Sequence, residues 1–315
     1  MNSILVTGAS GLLGSNFILA AQKRHINLLT IYHHHPLQLP DVESVKADLT
    51  EPGAVARIVN AYNPEWIVHC AASTDVDWCE ENPQEAERVH LHLSRDLAVE
   101  ANRVKARMVY LSTDAVFDGD GGGFFEEDEP RPVNVYGRSK LAGEIAVQEE
   151  LKSSLIVRTN IYGWNAQEKM SLAEWMLGKL ESKELLPGFF DVMFTPILVN
   201  DLAEIILDMI EQRFSGVYHV TGSQACSKLE FALEIANMFG LDTRQIRPVS
   251  IEDSPLRAPR PKNTSLNTQK ISRALSRPMP DVESGLRQFK ALRDSGLVTR
   301  LKNAGGLQSV EGENW

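Results

Sequence analysis

The chain predicts an α/β fold: a doubly wound parallel sheet with a smaller C-terminal substrate-binding lobe. Three observations predict it. Short β-rich apolar runs alternate with longer stretches of helical spacing through the first half. A glycine-rich turn joins the first run to the first helical stretch. After residue 160 the alternation gives way to helices broken by proline-rich basic loops.

The strand candidates are Ile4–Thr7, Leu28–Tyr32, Trp66–Ala71, Met108–Ser112 and Leu155–Arg158. Between them, residues 13–24 place Leu13, Phe17, Ala20 and Ala21 on one helical face, and residues 85–103 and 137–150 are rich in Ala, Glu and Leu. Strands alternating with helices of this length imply right-handed parallel crossovers and helices on both faces of the sheet. Further helical patterns occupy 171–183, 201–212, 228–239 and 281–293, interrupted by Pro255, Pro259, Pro261, Pro278 and Pro280. The expected organisation is a nucleotide-binding Rossmann domain over 1–160, with a return segment near 190–220. A mainly substrate-binding lobe follows over 161–300, then a tail over 301–315, of which Gly305 to Trp315 should fray.

Composition narrows the function classes. Of 315 residues, 43% are hydrophobic and 23% charged, which is ordinary globular usage. A net charge of −10 disfavours a nucleic-acid or anionic-membrane binder. Cys70, Cys79 and Cys226 show no C-x-x-C spacing, so neither a disulfide framework nor a metal site is expected. Gly8 comes too soon for a secretory signal, and no apolar run nears the length of a membrane span, so the cytoplasm is the expected compartment.

Thr7-Gly8-Ala9-Ser10-Gly11-Leu12-Leu13-Gly14 is a G-x-x-G-x-x-G variant of the dinucleotide fingerprint. Gly8 permits the sharp turn, Gly11 lets backbone approach a pyrophosphate, and Gly14 lets the helix lie close to the sheet. The second strand ends Tyr32-His33-His34-His35, where an acid would bind the ribose of NAD. None is present, and a protonated His33 would assist a 2′-phosphate, so NADP is favoured and NAD stays open. Asp48 and Leu49, after a third strand, would meet the adenine edge or simply cap the strand.

Tyr136-Gly137-Arg138-Ser139-Lys140 places a phenol and an ammonium on one side of a helix. Reducing a carbonyl needs a proton at oxygen, and a nearby ammonium lowers a phenol's pKa toward neutrality. Upstream, Ser112-Thr113-Asp114 ends a strand at the C-terminal sheet edge, where open α/β sheets bind ligands. Thr113 would orient the substrate oxygen. Thr74, Asp114 and Asn160 are further substrate-side candidates. Residues 254–280 carry six bases and no acid; Arg260 among them suits a nucleotide-sugar diphosphate, or else the run is a solvated basic face. Trp164 would stack on a sugar or base, or else fill the core. Cys70, in an apolar strand, suits packing against a cofactor better than chemistry. Asp118 to Glu129, with six acids, reads as a mobile loop.

Together these residues resemble the extended short-chain dehydrogenase/reductase family, in particular its dTDP-4-dehydrorhamnose reductase branch. The likeness rests on Thr7–Gly14, Ile67–Ala72, Ser112–Phe117, Asn134–Glu144, Arg158-Thr159 and Arg260–Asn267. It implies a reductase of a nucleotide-linked 4-keto sugar with Thr113, Tyr136 and Lys140 as catalytic residues. It implies cofactor contacts at Gly8, Ser10, Gly11, Leu12, Asp48, Leu49, Ala71 and Ala72, to which Leu13, His33 and Cys70 are added as neighbours. Ala115 stands where that branch usually has Tyr and where related dehydratases carry Glu, which argues against elimination. His90 stands where the family often has Asn. The methionine adenosyltransferase β subunit is also similar, which implies a second outcome: an NADP-binding regulatory subunit that meets a partner enzyme. A sugar-nucleotide epimerase is a third, and a homodimer is compatible with each.

Overall fold

The computed structural model describes residues 3–306. Through the first half the order is β1 (Ser3–Thr7), α1 (Leu12–Lys23), β2 (Asn27–Tyr32), β3 (Glu43–Lys46), α2 (Ala54–Tyr62) and β4 (Trp66–His69). Then come α3 (Val76–Glu81), α4 (Pro83–Glu87), a π-helical turn (Arg88–His92), α5 (Leu93–Arg103), β5 (Arg107–Thr113), α6 (Val135–Glu150) and β6 (Leu155–Thr159). The second half holds β7 (Ile161–Tyr162), α7 (Leu172–Glu181), β8 (Leu186–Phe189), β9 (Met193–Phe194), β10 (Ile197–Leu198) and α8 (Val199–Glu211). It ends with β11 (Gly216–His219), β12 (Cys226–Ser227), α9 (Lys228–Phe239), β13 (Ile246–Val249), α10 (Gln269–Ala274), α11 (Val282–Asp294) and α12 (Leu297–Ala304).

Seven parallel strands form one sheet in the order β11-β6-β5-β4-β1-β2-β3. The order reverses beside β1, which places the switch point next to the glycine turn. The inner strands β1, β4, β5 and β6 read as near-continuous apolar runs because both faces are covered. Ile4, Val6, Val68, Val109 and Val157 face α1 and α8, in a core that continues into the second lobe. The alternate residues Leu5, Ile67, Met108, Tyr110 and Ile156 face α2, α5 and α6. Gly8 has φ +65°, and a Cβ there would sit 2.6 Å from the Ala71 nitrogen. At Gly14 a Cβ would meet the Gly8 carbonyl oxygen at 2.2 Å.

The chain returns to the sheet at α8 and β11. Arg24 on α1 anchors α8 through Glu204, Asp208 and Glu211 at 2.6, 2.9 and 3.0 Å. The tail begins later than residue 301, because α12 runs to Ala304 and buries Leu301 against the second lobe. The fraying expected of Gly305–Trp315 falls, beyond Gly306, outside the described residues. The acidic loop 118–129 is pinned where a mobile segment was expected. Phe124 stacks on Phe117 at 4.2 Å, and its N–H donates to the Ser265 carbonyl at 3.0 Å. Glu126 accepts the His219 N–H at 2.9 Å. A stacked aromatic pair and a backbone pairing hold what composition alone presents as a charged flap.

A buried ion pair docks α6 onto the sheet. Glu144 accepts from Arg158 at 2.7, 3.0 and 3.1 Å and also from the Ser112 hydroxyl. Both charged side chains are almost completely enclosed, at 2% and 5% exposure. Arg158→Leu strands the carboxylate and should lower stability by about 3–5 kcal/mol in urea unfolding. Adding Glu144→Leu should recover most of that loss; an unaffected single variant would contradict the pairing.

Three imidazoles are buried as neutral rings. Burial, then Lys140, depresses His69 well below the ordinary value and His90 to about 3; burial, then Arg158, takes His219 to about 3. The unfolded chain takes up these protons below about pH 6.5 and the folded chain does not. The stabilisation is therefore complete above pH 6.5 and is lost as pH falls toward 3. Unfolding free energy should drop by up to about 2 kcal/mol per histidine between pH 7.5 and 5.0. A flat profile over that interval would show the rings to be solvated.

Candidate active site and cofactor cleft

A cleft of about 1460 Å³ follows the C-terminal edge of the sheet and opens toward the second lobe. Ligand pockets usually enclose roughly 300–1,000 Å³, so this one has room for a dinucleotide and a second ligand together. One end is walled by Gly8, Ser10, Gly11, Leu12 and Leu13. No side chain caps α1 and no acid lies in its first turn, so the helix presents free N–H groups and the positive end of its dipole to the cleft. That donor set fits a pyrophosphate.

His33, Asp48 and Leu49 line the cleft where β2 and β3 end. Asp48 accepts from the Thr50 hydroxyl and N–H at 2.6 and 2.9 Å, which holds its carboxyl below the usual range. Its second oxygen lies 3.6 Å from the His33 ring. No acid ends β2; Asp48, two residues past β3, lies beside His33. Cys70, Ala71 and Ala72 form the middle wall, and burial pushes the Cys70 thiol up to about 12, which suits packing and not nucleophilic chemistry.

Thr113, Tyr136 and Lys140 converge on the next stretch. Asn134 caps α6, accepting the Gly137 N–H at 2.8 Å, which sets Tyr136 in the first turn. Burial raises the Tyr136 phenol above its ordinary value, and its hydrogen bond with Thr113 opposes the shift. Asp114 and Cys79 raise it further. The expected lowering by Lys140 is not found. The Lys140 ammonium donates to the Leu111 carbonyl at 2.6 Å and lies 4.2 Å from the Tyr110 ring centre, so its charge is spent beneath the strand end. Burial draws that ammonium down to about 8, with Glu144 opposing.

His90 joins the cofactor wall to the catalytic helix. Its Nε2 accepts the Ser73 N–H at 3.0 Å, which leaves Nδ1 protonated by inference from this network. Nδ1 then donates to Ser139 Oγ at 2.8 Å, and Ser139 donates to the Tyr136 carbonyl at 3.0 Å. The π-helical turn re-aims this ring toward α6.

The substrate-side residues divide. Asp114 and Asn160 line the cleft, yet Asp114 already accepts from Thr113, Asn160 and Thr264 at 3.1, 2.7 and 2.6 Å. It joins β5 to the second lobe. Thr74 accepts from Lys169 at 2.8 Å across the cleft. Arg260 lines the cleft, fixed by Asp77 at 3.1 Å and the Ala258 carbonyl at 3.0 Å. Trp164 is a correction: its ring stacks on Phe289 at 4.1 Å and its N–H donates to the Phe289 carbonyl at 2.9 Å. It packs the second lobe and does not line the cleft.

Sequence reasoning missed Thr264, Phe194 and Lys228, all on the cleft wall. Thr264 lay within a motif already singled out. Phe194 and Lys228 belong to no recognisable spacing, and only the pairing of β9 with β12 brings them together.

The chain matches the model of the RmlD substrate binding domain over residues 1–293. It is 31% identical over 290 residues to the probable low-salt glycan biosynthesis reductase Agl14 of Haloferax volcanii, covering 91% of this chain and 96% of that protein. It is 33% identical over 277 residues to methionine adenosyltransferase 2 subunit beta of Mus musculus, covering 85% and 81%. The solved dTDP-4-dehydrorhamnose reductase from Bacillus anthracis str. Ames, in complex with NADP, is similar with a TM-score of 0.82 at 30% identity, over 92% of this chain and 99% of that one. The chain belongs to the RmlD substrate-binding domain family, within the extended short-chain dehydrogenase/reductases.

Proposed function

We propose that this chain is an NADP(H)-dependent reductase of a nucleotide-linked 4-keto sugar, as in dTDP-4-dehydrorhamnose reduction. One observation carries the reading: an uncapped helix N-terminus, the Thr113–Tyr136 hydroxyl pair and Arg260 share a single cleft. When bound, the reduced nicotinamide supplies a hydride to the keto carbon. Tyr136 delivers the proton to the keto oxygen. A phenol raised by burial keeps its proton at neutral pH, and reduction needs that acid form. Thr113 orients the phenol from the end of β5, and its O–H, donated to Asp114 here, turns to the carbonyl when substrate binds. Lys140 spends one N–H on Leu111 and has two left for the ribose of the cofactor. Arg260, held by Asp77, presents its fork to the diphosphate. His33 would favour the 2′-phosphate of NADP over the bare ribose of NAD.

The likeness to methionine adenosyltransferase 2 subunit beta favours a second reading, an NADP-binding subunit without turnover. It differs in one observable: NADPH binds and is not consumed.

Tyr136→Phe should reduce NADPH consumption with dTDP-4-dehydrorhamnose by about 10²–10⁴-fold while leaving NADPH affinity nearly unchanged. Equal rates for the two proteins would remove Tyr136 from the chemistry, and no turnover in either would favour the second reading. His33→Ala should weaken NADPH by about 5–10-fold in fluorescence titration, with NADH affected less than about 2-fold. Equal losses for both cofactors would place the 2′-phosphate elsewhere.

A further inference from the structure

Lys228 is the first residue of α9 and lines the cleft wall with its ammonium over Phe194. It lies 3.2 Å from the centre of the Phe194 ring. Its backbone N–H donates to the Val192 carbonyl at 3.0 Å, and among the described residues the ammonium makes no hydrogen bond and no ion pair. Glu230, the nearest acid along its own helix, is committed to the capping box, bonding Ser227 at 2.7 and 3.0 Å. Asp114 acts on Lys228 through space without bonding it, its oxygens accepting from Thr113, Asn160 and Thr264.

The other cations of the cleft have partners. Lys140 has the Leu111 carbonyl, Arg260 has Asp77, and Lys169 has Thr74. An ammonium carries three donors, and a desolvated one without acceptors is unfavourable. The Phe194 face compensates only one side of the charge. Burial accordingly draws the group down to about 8, a penalty that a facing anion would reverse. Lys228 sits on the second-lobe side, where Asp114 and Thr264 meet, whereas the cofactor's phosphates belong at the glycine turn.

We propose that Lys228 is a specificity-determining residue that takes an anionic oxygen of the nucleotide-sugar, supplied by its distal phosphate or by a carboxylate on its sugar. The assignment rests on the reading of the cleft as a sugar-nucleotide site. It implies that neutral ligands and nucleoside monophosphates leave this charge unanswered.

The test is calorimetric titration of the NADP-loaded protein and of Lys228→Met with dTMP, dTDP, dTDP-glucose and a dTDP-hexuronate. Methionine keeps the stem that covers Phe194 and removes the charge. Lys228→Arg serves as the charge-conserving control, and unchanged NADPH affinity and melting temperature report an intact fold. If the distal phosphate is the partner, Lys228→Met weakens dTDP by about 10–100-fold and dTMP by less than about 2-fold. If a sugar carboxylate is the partner, dTDP and dTDP-glucose are unaffected and only the hexuronate loses that factor. In either case Lys228→Arg recovers most of the affinity. Equal losses for all four ligands, or no loss for any, would overturn the assignment and leave the reductase reading standing. Failure of the wild-type protein to bind any of the four while binding NADPH would overturn both.

Discussion

Everything reactive in this molecule is referenced to the seating of α6 on the sheet edge. Glu144 is the seat. Its carboxylate gathers Arg158 from β6 and Ser112 from β5, the strands that end at the cleft. The same helix is held at other points. Asn134 caps its start and donates to the Pro259 carbonyl at 2.9 Å, and the Tyr110 hydroxyl donates to the Lys140 carbonyl at 3.2 Å. At Gly143 even a Cβ would meet the His90 carbonyl at 2.2 Å. The phenol and ammonium therefore have little freedom relative to Thr113. Positioning of this kind is where much of an enzyme's rate enhancement originates.

The electrostatics of the cleft follow from burial. A phenol driven upward stays an acid, and two ammoniums driven down to about 8 remain cations at neutral pH. They differ in what faces them. Lys140 is buttressed by a carbonyl, while the Lys228 ammonium rests on an aromatic face and feels Asp114 only through space. Asp114 lies near Tyr136 and Lys228, yet three hydrogen bonds hold it in place as a joint between sheet and lobe. The carboxylate thus organises the site.

The parts of this account legible in the sequence are those whose function requires fixed spacing along one element. The glycine turn and the Tyr136–Lys140 pair are local, so their residues lie close in the chain. The alternation of strands and helices is likewise local, and it fixes the sheet. What could not be read depends on contacts between distant segments. Trp164 belongs to the core because Phe289, far along the chain, supplies its stacking partner. The acidic loop is pinned because Phe124 meets Phe117 and the Ser265 backbone. Lys140 does not tune Tyr136 because the Leu111 carbonyl takes its ammonium first. Each outcome turned on a tertiary partner that no spacing announces.

The most direct measurement is a crystal structure of the complex with NADP⁺ and the reduced nucleotide-sugar. The account predicts the sugar C4 oxygen within about 3 Å of both the Tyr136 and Thr113 hydroxyls, with the nicotinamide ring against the same carbon. A sugar oxygen directed away from Tyr136, with another side chain in reach of it, would contradict the account.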